Sequence, residues 1–274
     1  MKFGIALRVM GEASRPGPLL ECARYAEDAG LDEIWVADHM AIPPDAAEGS
    51  DGRYLDPLTT LAYLAGVTQR IGLGTSVLIL PYRPPLPTAK AIATVQELSG
   101  GRLTLGVGVG WMDPEFRALG VDRRQRGAIT DQTLAVIRRC FSADDDIVEQ
   151  NGQDLYFRPN PECPKILVGG AAPHALHRAV RYGDGWIPMS ADPERLAPAI
   201  EQLHALARQA GRPKPEVACL GALAAEPERA TAQLRNLAAR GVTRFLTGAR
   251  YDSDTTPFRR AVDSLLAGRR AFGA

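Results

Sequence analysis

The sequence has no net charge and no long hydrophobic run. Its 274 residues carry 32 basic and 32 acidic side chains. Without a basic excess there are no counterions to release, so binding to nucleic acid through an overall positive field is disfavoured. No apolar stretch approaches the ~18 residues of a membrane span, and the first is interrupted at Arg8, too early for a signal peptide. We therefore expect a cytoplasmic protein that binds neither membrane nor nucleic acid.

Cysteine and histidine are also scarce. The four cysteines are scattered without a Cys-x-x-Cys pair, which indicates neither a disulfide framework nor a zinc site. Only four histidines are present, and His174, His177 and His204 fall on predicted helices. Because metal-dependent barrel hydrolases gather several histidine and aspartate ligands from different strands, we expect no metal.

What the sequence does contain is a regular alternation of short apolar runs and segments with helical periodicity. The runs are continuous, as is typical of parallel strands buried on both faces. The eight predicted strands cover residues 3–7, 33–37, 71–80, 103–109, 165–168, 186–189, 217–224 and 242–246.

Eight strand–helix units predict a single (β/α)₈ barrel domain over residues 1–274. A doubly wound open sheet is the alternative, but eight regular units close more naturally than they stay open. One interval is oversized, and Asn151-Gly152 between two short apolar segments is a hairpin signal. We interpret residues 142–164 as an insertion after strand 4.

Active sites of such barrels lie at the carboxyl ends of the strands. Asp38-His39, at the end of strand 2, is the only acid–histidine pair at such a position. A histidine titrates near neutrality and can act as a general base towards a substrate hydroxyl. The alternative is a histidine that only forms a hydrogen bond to a loop.

Two glycine-rich strand ends are further candidates. Gly106, Gly108 and Gly110 end strand 4, where they either let a flat ring approach the backbone or allow tight packing in the barrel. Trp111 follows and offers an aromatic wall. Residues 169–173 lead into a helix, whose free N–H groups form a natural phosphate site.

Six blocks together resemble the luciferase-like monooxygenase superfamily, in order along the first two-thirds of the chain. They lie at residues 35–39, 56–61, 70–78, 98–103, 106–111 and 168–170 with 183–186. The resemblance implies a barrel that binds a flavin or deazaflavin across the strand ends. It is strongest to the branch that uses coenzyme F-420, an 8-hydroxy-5-deazaflavin.

Within that branch, the resemblance implies that Asp38 and His39 lie beside the deazaflavin ring, with His39 as the base. It also implies a non-proline cis peptide behind the ring, at Ser76–Val77. Sugar-phosphate dehydrogenases of this branch have a glutamate where Trp111 stands, so an apolar or aromatic substrate is favoured instead. The complete set of implied cofactor contacts is Asp38, His39, Ser76, Val77, Gly108, Val109, Gly110, Trp111, Gly169, Gly170, Ala171 and His174, the last four around the phosphate.

The leading hypothesis is hydride transfer between coenzyme F-420 and a small-molecule substrate. The first alternative is a monooxygenase that takes reduced FMN from a separate flavin reductase. A second, of another class, is a non-catalytic flavin-binding subunit. The resemblance further suggests a homodimer.

Overall fold

The computed structural model describes residues 1–47, 49–142 and 144–273. Eleven strands are found there: β1 (Lys2–Leu7), β2 (Glu33–Val36), β3 (Gly72–Thr75), β4 (Leu78–Ile79), β5 (Leu103–Gly108), β6 (Ile147–Gln150), β7 (Gln153–Tyr156), β8 (Lys165–Gly169), β9 (Gly185–Ile187), β10 (Glu216–Leu220) and β11 (Arg244–Gly248). The nine α-helices of this part of the chain are α1 (Pro16–Asp28), α2 (Pro57–Val67), α3 (Pro85–Leu98), α4 (Asp113–Ala118), α5 (Arg126–Phe141), α6 (His174–Tyr182), α7 (Pro193–Gln209), α8 (Pro227–Ala239) and α9 (Thr256–Gly273).

The strands form a closed parallel barrel surrounded by helices, as predicted. The sheet runs β3-β2-β1-β11-β10-β9-β8-β5-β4, and it closes because β3 also pairs with β5. The prediction of one continuous third strand at 71–80 is wrong in detail, since β3 and β4 are two segments separated by Ser76 and Val77. The short helix α4 is additional to the helix that follows each barrel strand.

The barrel interior is filled by side chains from alternate positions of each strand. Trp35 is fully buried there, and a Cβ atom on Gly74 would lie 2.4 Å from its ring. Below it, Arg244 forms ion pairs with Glu33 and Glu216. Because buried charges are costly unless paired, this group closes the amino-terminal end of the barrel and leaves the other end for chemistry.

Several of the sequence blocks have a structural role. Asp56 caps α2, its Oδ1 accepting a hydrogen bond from the Thr59 N–H at 2.8 Å. The Arg102 guanidinium donates to carbonyl groups of Ala65, Thr68 and Ile71 at 2.8–3.1 Å. It thereby ties the loop before β5 to the end of α2 and the start of β3.

The segment after β5 contains the hairpin. β6 and β7 pair antiparallel, with Gln150 opposite Gln153. Asn151 and Gly152 have φ angles of 55° and 78°, the positive values that a tight two-residue hairpin turn requires. The segment 142–164 includes Ala143, which lies outside the described residues. Among the helices described, none is long and apolar enough to cross a membrane.

Candidate active site at the barrel mouth

The floor of the barrel mouth is the break between β3 and β4. The Ser76–Val77 peptide is cis, as the resemblance implied. Val77 packs on an interior cluster that includes Trp35, Leu167 and Ile187. Its half-buried side chain therefore forms the boundary between the packed interior and the open mouth.

Glycines surround this floor because neighbouring strands come very close to it. A Cβ atom on Gly108 would lie 2.5 Å from Val77 Cγ2, and one on Gly169 would lie 2.9 Å from Val77 Cγ1. A Cβ atom on Gly106 would lie 2.0 Å from the carbonyl oxygen of Thr75. For Gly106 and Gly108, tight packing in the barrel accounts for the absence of a side chain.

The end of β5 leads from this floor to the aromatic side of the mouth. Val109 is half-buried and Gly110 has a φ of 74°, which turns the chain outward. Trp111 follows and is 65% exposed. Its ring lies edge-on to the His39 ring, with 6.1 Å between centroids, and Tyr54 contacts the same imidazole at 5.0 Å.

Asp38 is held by Arg83, which follows β4, and by the backbone of Ile79 in β4. Arg83 Nη1 donates to its Oδ2 at 2.6 Å, Arg83 Nη2 to its Oδ1 at 3.0 Å, and the Ile79 N–H to Oδ2 at 2.8 Å. Burial raises the pKa of the Asp38 carboxyl, and the ion pair with Arg83 acts against this shift. Both oxygens are thus engaged, so Asp38 fixes the loop after β2 and is not free to exchange protons with a substrate.

His39 is held from the opposite side by a residue that we did not single out in the sequence. Its Nδ1 lies 2.8 Å from Oε2 of Glu115, which is fully buried on α4. Glu115 Oε1 accepts from the N–H groups of Met40 and Ala41 at 2.7 and 3.0 Å. Tyr82 donates its hydroxyl to Oε2 at 3.0 Å.

These four contacts favour one tautomer of the imidazole. The other three groups at the Glu115 carboxyl are donors, so the geometry suits Nδ1 of His39 as a fourth donor. In neutral histidine, Nε2 is then the acceptor, and no described residue forms a hydrogen bond with it. The arrangement gives the imidazole a fixed orientation at the mouth, supported by a carboxyl group.

The phosphate site implied at the end of β8 is only partly available. The Gly170 N–H already donates to the Ile187 carbonyl at 3.1 Å, and Gly169 is buried within the strand. The Gly170 amide is therefore not free to bind a phosphate. Among the described residues, the N–H groups of Ala171 and His174 have no acceptor, and both residues are exposed at the start of α6.

Arginines lie beside this helix end. Arg178 of α6 donates to Asp131 at 2.6 Å and to the Gly127 carbonyl at 3.4 Å, which joins α6 to the start of α5. A separate cavity of about 560 Å³ lies between α4 and α5. It is lined by Arg117, Arg123, Arg124 and Arg126 with Asp113, Phe116, Val121 and Asp122. Two of these arginines are paired within the lining, Arg117 with Asp113 and Arg124 with Asp122.

Comparison with known proteins identifies the family. The sequence profile described as luciferase-like monooxygenase matches residues 1–269. The chain belongs to this family. One relative is an uncharacterised protein from Mycobacterium bovis. It is 32% identical over 211 residues, which are 70% of this chain and 72% of that protein.

Two named relatives of this luciferase-like chain act in deazaflavin and pterin chemistry. A 5,10-methylenetetrahydromethanopterin reductase from Methanolobus tindarius is 31% identical over 225 residues, 79% of this chain and 63% of the reductase. An F-420-dependent glucose-6-phosphate dehydrogenase from Amycolatopsis mediterranei is 31% identical over 212 residues, 72% of this chain and 62% of the dehydrogenase.

Solved structures confirm the fold of the luciferase-like barrel. A monooxygenase from Streptomyces bottropensis superimposes with a TM-score of 0.79 at 19% identity, over 99% of this chain and 98% of that one. An F-420-dependent secondary alcohol dehydrogenase gives a TM-score of 0.76 at 19% identity, over 97% and 99%. At these identities the likeness concerns the fold alone.

Proposed function

We propose that this protein is an oxidoreductase that transfers a hydride between coenzyme F-420 and a small organic substrate. The observation that carries the proposal is the buried Glu115 carboxylate, which orients His39 at the mouth of the barrel. A hydride transfer from an alcohol needs one nearby group to take the hydroxyl proton, and this dyad supplies one group of that kind. The names of the 31% identical relatives from Methanolobus and Amycolatopsis support the choice of redox chemistry.

The described residues fit the proposed cofactor at both of its ends. The half-buried Val77 at the floor suits one face of a ring, and the free amides of Ala171 and His174 suit a phosphate. When bound, coenzyme F-420 supplies the carbon that accepts or gives the hydride. In this proposal, residues of the protein carry out proton transfer, positioning and exclusion of water.

Each residue of the mouth then has one task. His39 Nε2 takes the proton of a substrate hydroxyl, or returns it in the reverse direction. Glu115 is a positioning residue that keeps Nδ1 protonated, and Asp38 with Arg83 is a second positioning pair. Trp111 excludes water from one side and contacts an apolar part of the substrate.

Cofactor titrations test the proposal. The purified protein is titrated with F-420 and with FMN, and binding is followed by fluorescence and by calorimetry. Saturable one-to-one binding of F-420, with FMN binding at least about tenfold weaker, is expected. Tight FMN binding without F-420 binding would overturn the proposal in favour of a flavin monooxygenase.

A pair of histidine variants tests the base. His39→Asn should lower kcat by at least about 10²–10⁴-fold while F-420 still binds, because asparagine cannot accept the proton at neutral pH. His204→Asn is the control, since His204 lies on α7 and packs against Gly241 outside the mouth. Retained cofactor binding with no turnover in the wild-type protein, against every alcohol and ketone of a broad panel, would instead support a non-catalytic flavin-binding subunit.

A further inference from the structure

The residues proposed for the cofactor occupy only half of the barrel mouth. They follow β2, β3, β5 and β8, which are consecutive around the closed sheet, with β4 completing this side. The ends of β9, β10, β11 and β1 form the other half. A substrate that meets the ring from the mouth must contact side chains of this second half.

Arg8 is the charged residue that β1 directs into this half. Side chains of a strand alternate between its two faces, and the even positions of β1 face the interior. A Cβ atom on Gly4 would lie 2.9 Å from Trp35 Nε1, and the Cβ of Ala6 lies 3.8 Å from a Cβ built on Gly248. Arg8 is the next even position, one residue beyond the end of the strand.

The pairing of β1 with β2 brings Arg8 close to His39, across the boundary between the two halves. Ala6 pairs with Trp35 and Leu7 with Val36. Continuing this register places Arg8 level with residue 37, two residues before His39. Tyr54 links the two side chains, because its ring lies 5.0 Å from the His39 ring and its phenol is within electrostatic range of Arg8. The guanidinium and the imidazole therefore face one space.

The contacts of Arg8 with described residues hold it in place through neutral groups, a phenol and a carbonyl, and include no carboxylate. The Arg8 N–H donates to the Tyr251 hydroxyl at 3.0 Å, and Nη2 donates to the Gly49 carbonyl at 3.0 Å. Its Nε is buried and has no hydrogen-bond partner among the described residues, none of which forms an ion pair with it. A buried donor of this kind usually has an acceptor, so the Nε–H group of Arg8 is suited to donate to a ligand.

The surroundings of Arg8 indicate which part of a ligand lies beside it. Burial raises the pKa of Tyr54, and the positive charge of Arg8 acts against that shift, so the guanidinium lies within electrostatic range of this phenol. Tyr54 also contacts the imidazole of His39, which Trp111 contacts from another side. A ligand at Arg8 thus has aromatic side chains and a proton acceptor within reach.

We propose that Arg8 binds the carboxylate of the substrate, which would make the substrate a small hydroxy or oxo acid with an apolar or aromatic group. Arginine suits a carboxylate because its planar donors match two oxygen atoms, and the pairing supplies an acceptor for Nε. The carboxylate at Arg8 orients the neighbouring hydroxyl carbon towards His39. The reaction class rests on the proposed function, whereas carboxylate binding at Arg8 does not.

A matched pair of probes separates the carboxylate from the rest of the ligand. Mandelate and 1-phenylethanol share the phenyl ring and the hydroxyl carbon, and they differ in a carboxylate in place of a methyl group. Their dissociation constants are measured by calorimetry with the cofactor-free protein and again in the presence of F-420. We expect wild-type protein to bind mandelate at least about tenfold more tightly, as for a hydrogen-bonded charge pair.

Arginine variants show whether this preference belongs to Arg8. Arg8→Gln should weaken mandelate binding by about 10- to 100-fold and change 1-phenylethanol binding by less than about threefold. Arg8→Lys should keep part of the preference, because it keeps the charge but not the planar donors. Arg229→Gln, at an exposed arginine of α8, should behave as wild type.

Three outcomes would overturn the inference: wild-type protein that binds mandelate no more tightly than 1-phenylethanol, Arg8→Gln that weakens both probes equally, or Arg8→Gln that weakens neither. Circular dichroism and thermal unfolding establish whether each variant is folded. If Arg8→Gln does not fold, the reduced preference expected for Arg8→Lys provides the test. If only the proposed function were wrong, the protein would bind no F-420 but would still bind mandelate more tightly than 1-phenylethanol.

Discussion

Replacing Glu115 by glutamine is the sharpest test of how the mouth works. Glutamine has the same shape, and its oxygen can stay with the amides of Met40 and Ala41, which donate to Oε1 of Glu115. Its NH₂ group then takes the place of Oε2 and faces Nδ1 of His39. Because NH₂ only donates, Nδ1 must become the acceptor, and the proton moves to Nε2.

The magnitude of the effect follows from the loss of this proton acceptor. General-base catalysis by a positioned side chain contributes about 10²–10⁴-fold, so kcat for alcohol oxidation should fall by about that factor. The corresponding increase in the activation free energy is about 2.7–5.4 kcal/mol. Cofactor binding should change by less than about threefold, because Glu115 orients the base and does not face the phosphate region.

Glu115→Gln should also remain folded. The substitution weakens hydrogen bonds to a charged acceptor but removes the cost of a buried charge, so the free energy of unfolding should fall by no more than about 2 kcal/mol. The assay is steady-state turnover followed by deazaflavin absorbance, with calorimetry for cofactor binding. Tyr82→Phe removes one hydrogen bond and leaves the carboxylate, and it should lower kcat far less. Turnover of Glu115→Gln within about threefold of wild type, with an unchanged pH profile, would refute the tautomer argument.

Three further substitutions test the rest of the mouth. Gly108→Ala should lower the free energy of unfolding by about 1–3 kcal/mol and weaken F-420 binding, because its Cβ would lie 2.5 Å from Val77 Cγ2; denaturant unfolding and titration check this. Arg83→Met should lower the free energy of unfolding by about 3–5 kcal/mol near neutral pH, since it leaves the buried Asp38 unpaired. Burial already raises the pKa of Asp38 in the wild type, and without Arg83 it rises further, so this deficit should shrink as pH falls and Asp38 becomes protonated; urea unfolding across pH 4–8 measures it. Trp111→Ala should leave thermal unfolding nearly unchanged, because the side chain is 65% exposed, but weaken binding of mandelate and 1-phenylethanol alike.

The barrel could be predicted because its signals are local. Buried parallel strands are continuous apolar runs, and each is followed by a segment with helical periodicity, so the eight units are visible without knowledge of any contact. The break at Ser76–Val77 could not be read from apolarity, since residues on both sides of it are buried. Only the resemblance indicated a cis peptide there.

The partners of Asp38 and His39 could not be predicted because they come from distant parts of the chain. Glu115 is 76 residues from His39, and Arg83 is 45 residues from Asp38. A local signal for Glu115 did exist, since it precedes the apolar Phe116 in a short helix directly after a strand end. An acid in that position has no reason to be singled out until its burial is known.

Asp38 and His39 are adjacent in the chain but have different roles, because each is held by different partners. Asp38 is bound to Arg83 and Ile79 on the β4 side, whereas His39 is bound to Glu115 on the β5 side. The loop after β2 is therefore joined to both neighbours of the floor, and the imidazole cannot rotate without breaking a buried hydrogen bond. Such a bond is costly to leave unmade, so the orientation of His39 is already established before any ligand arrives. The preorganised part of the mouth is thus the base, whereas the exposed Trp111 is the part that remains able to adapt to a substrate.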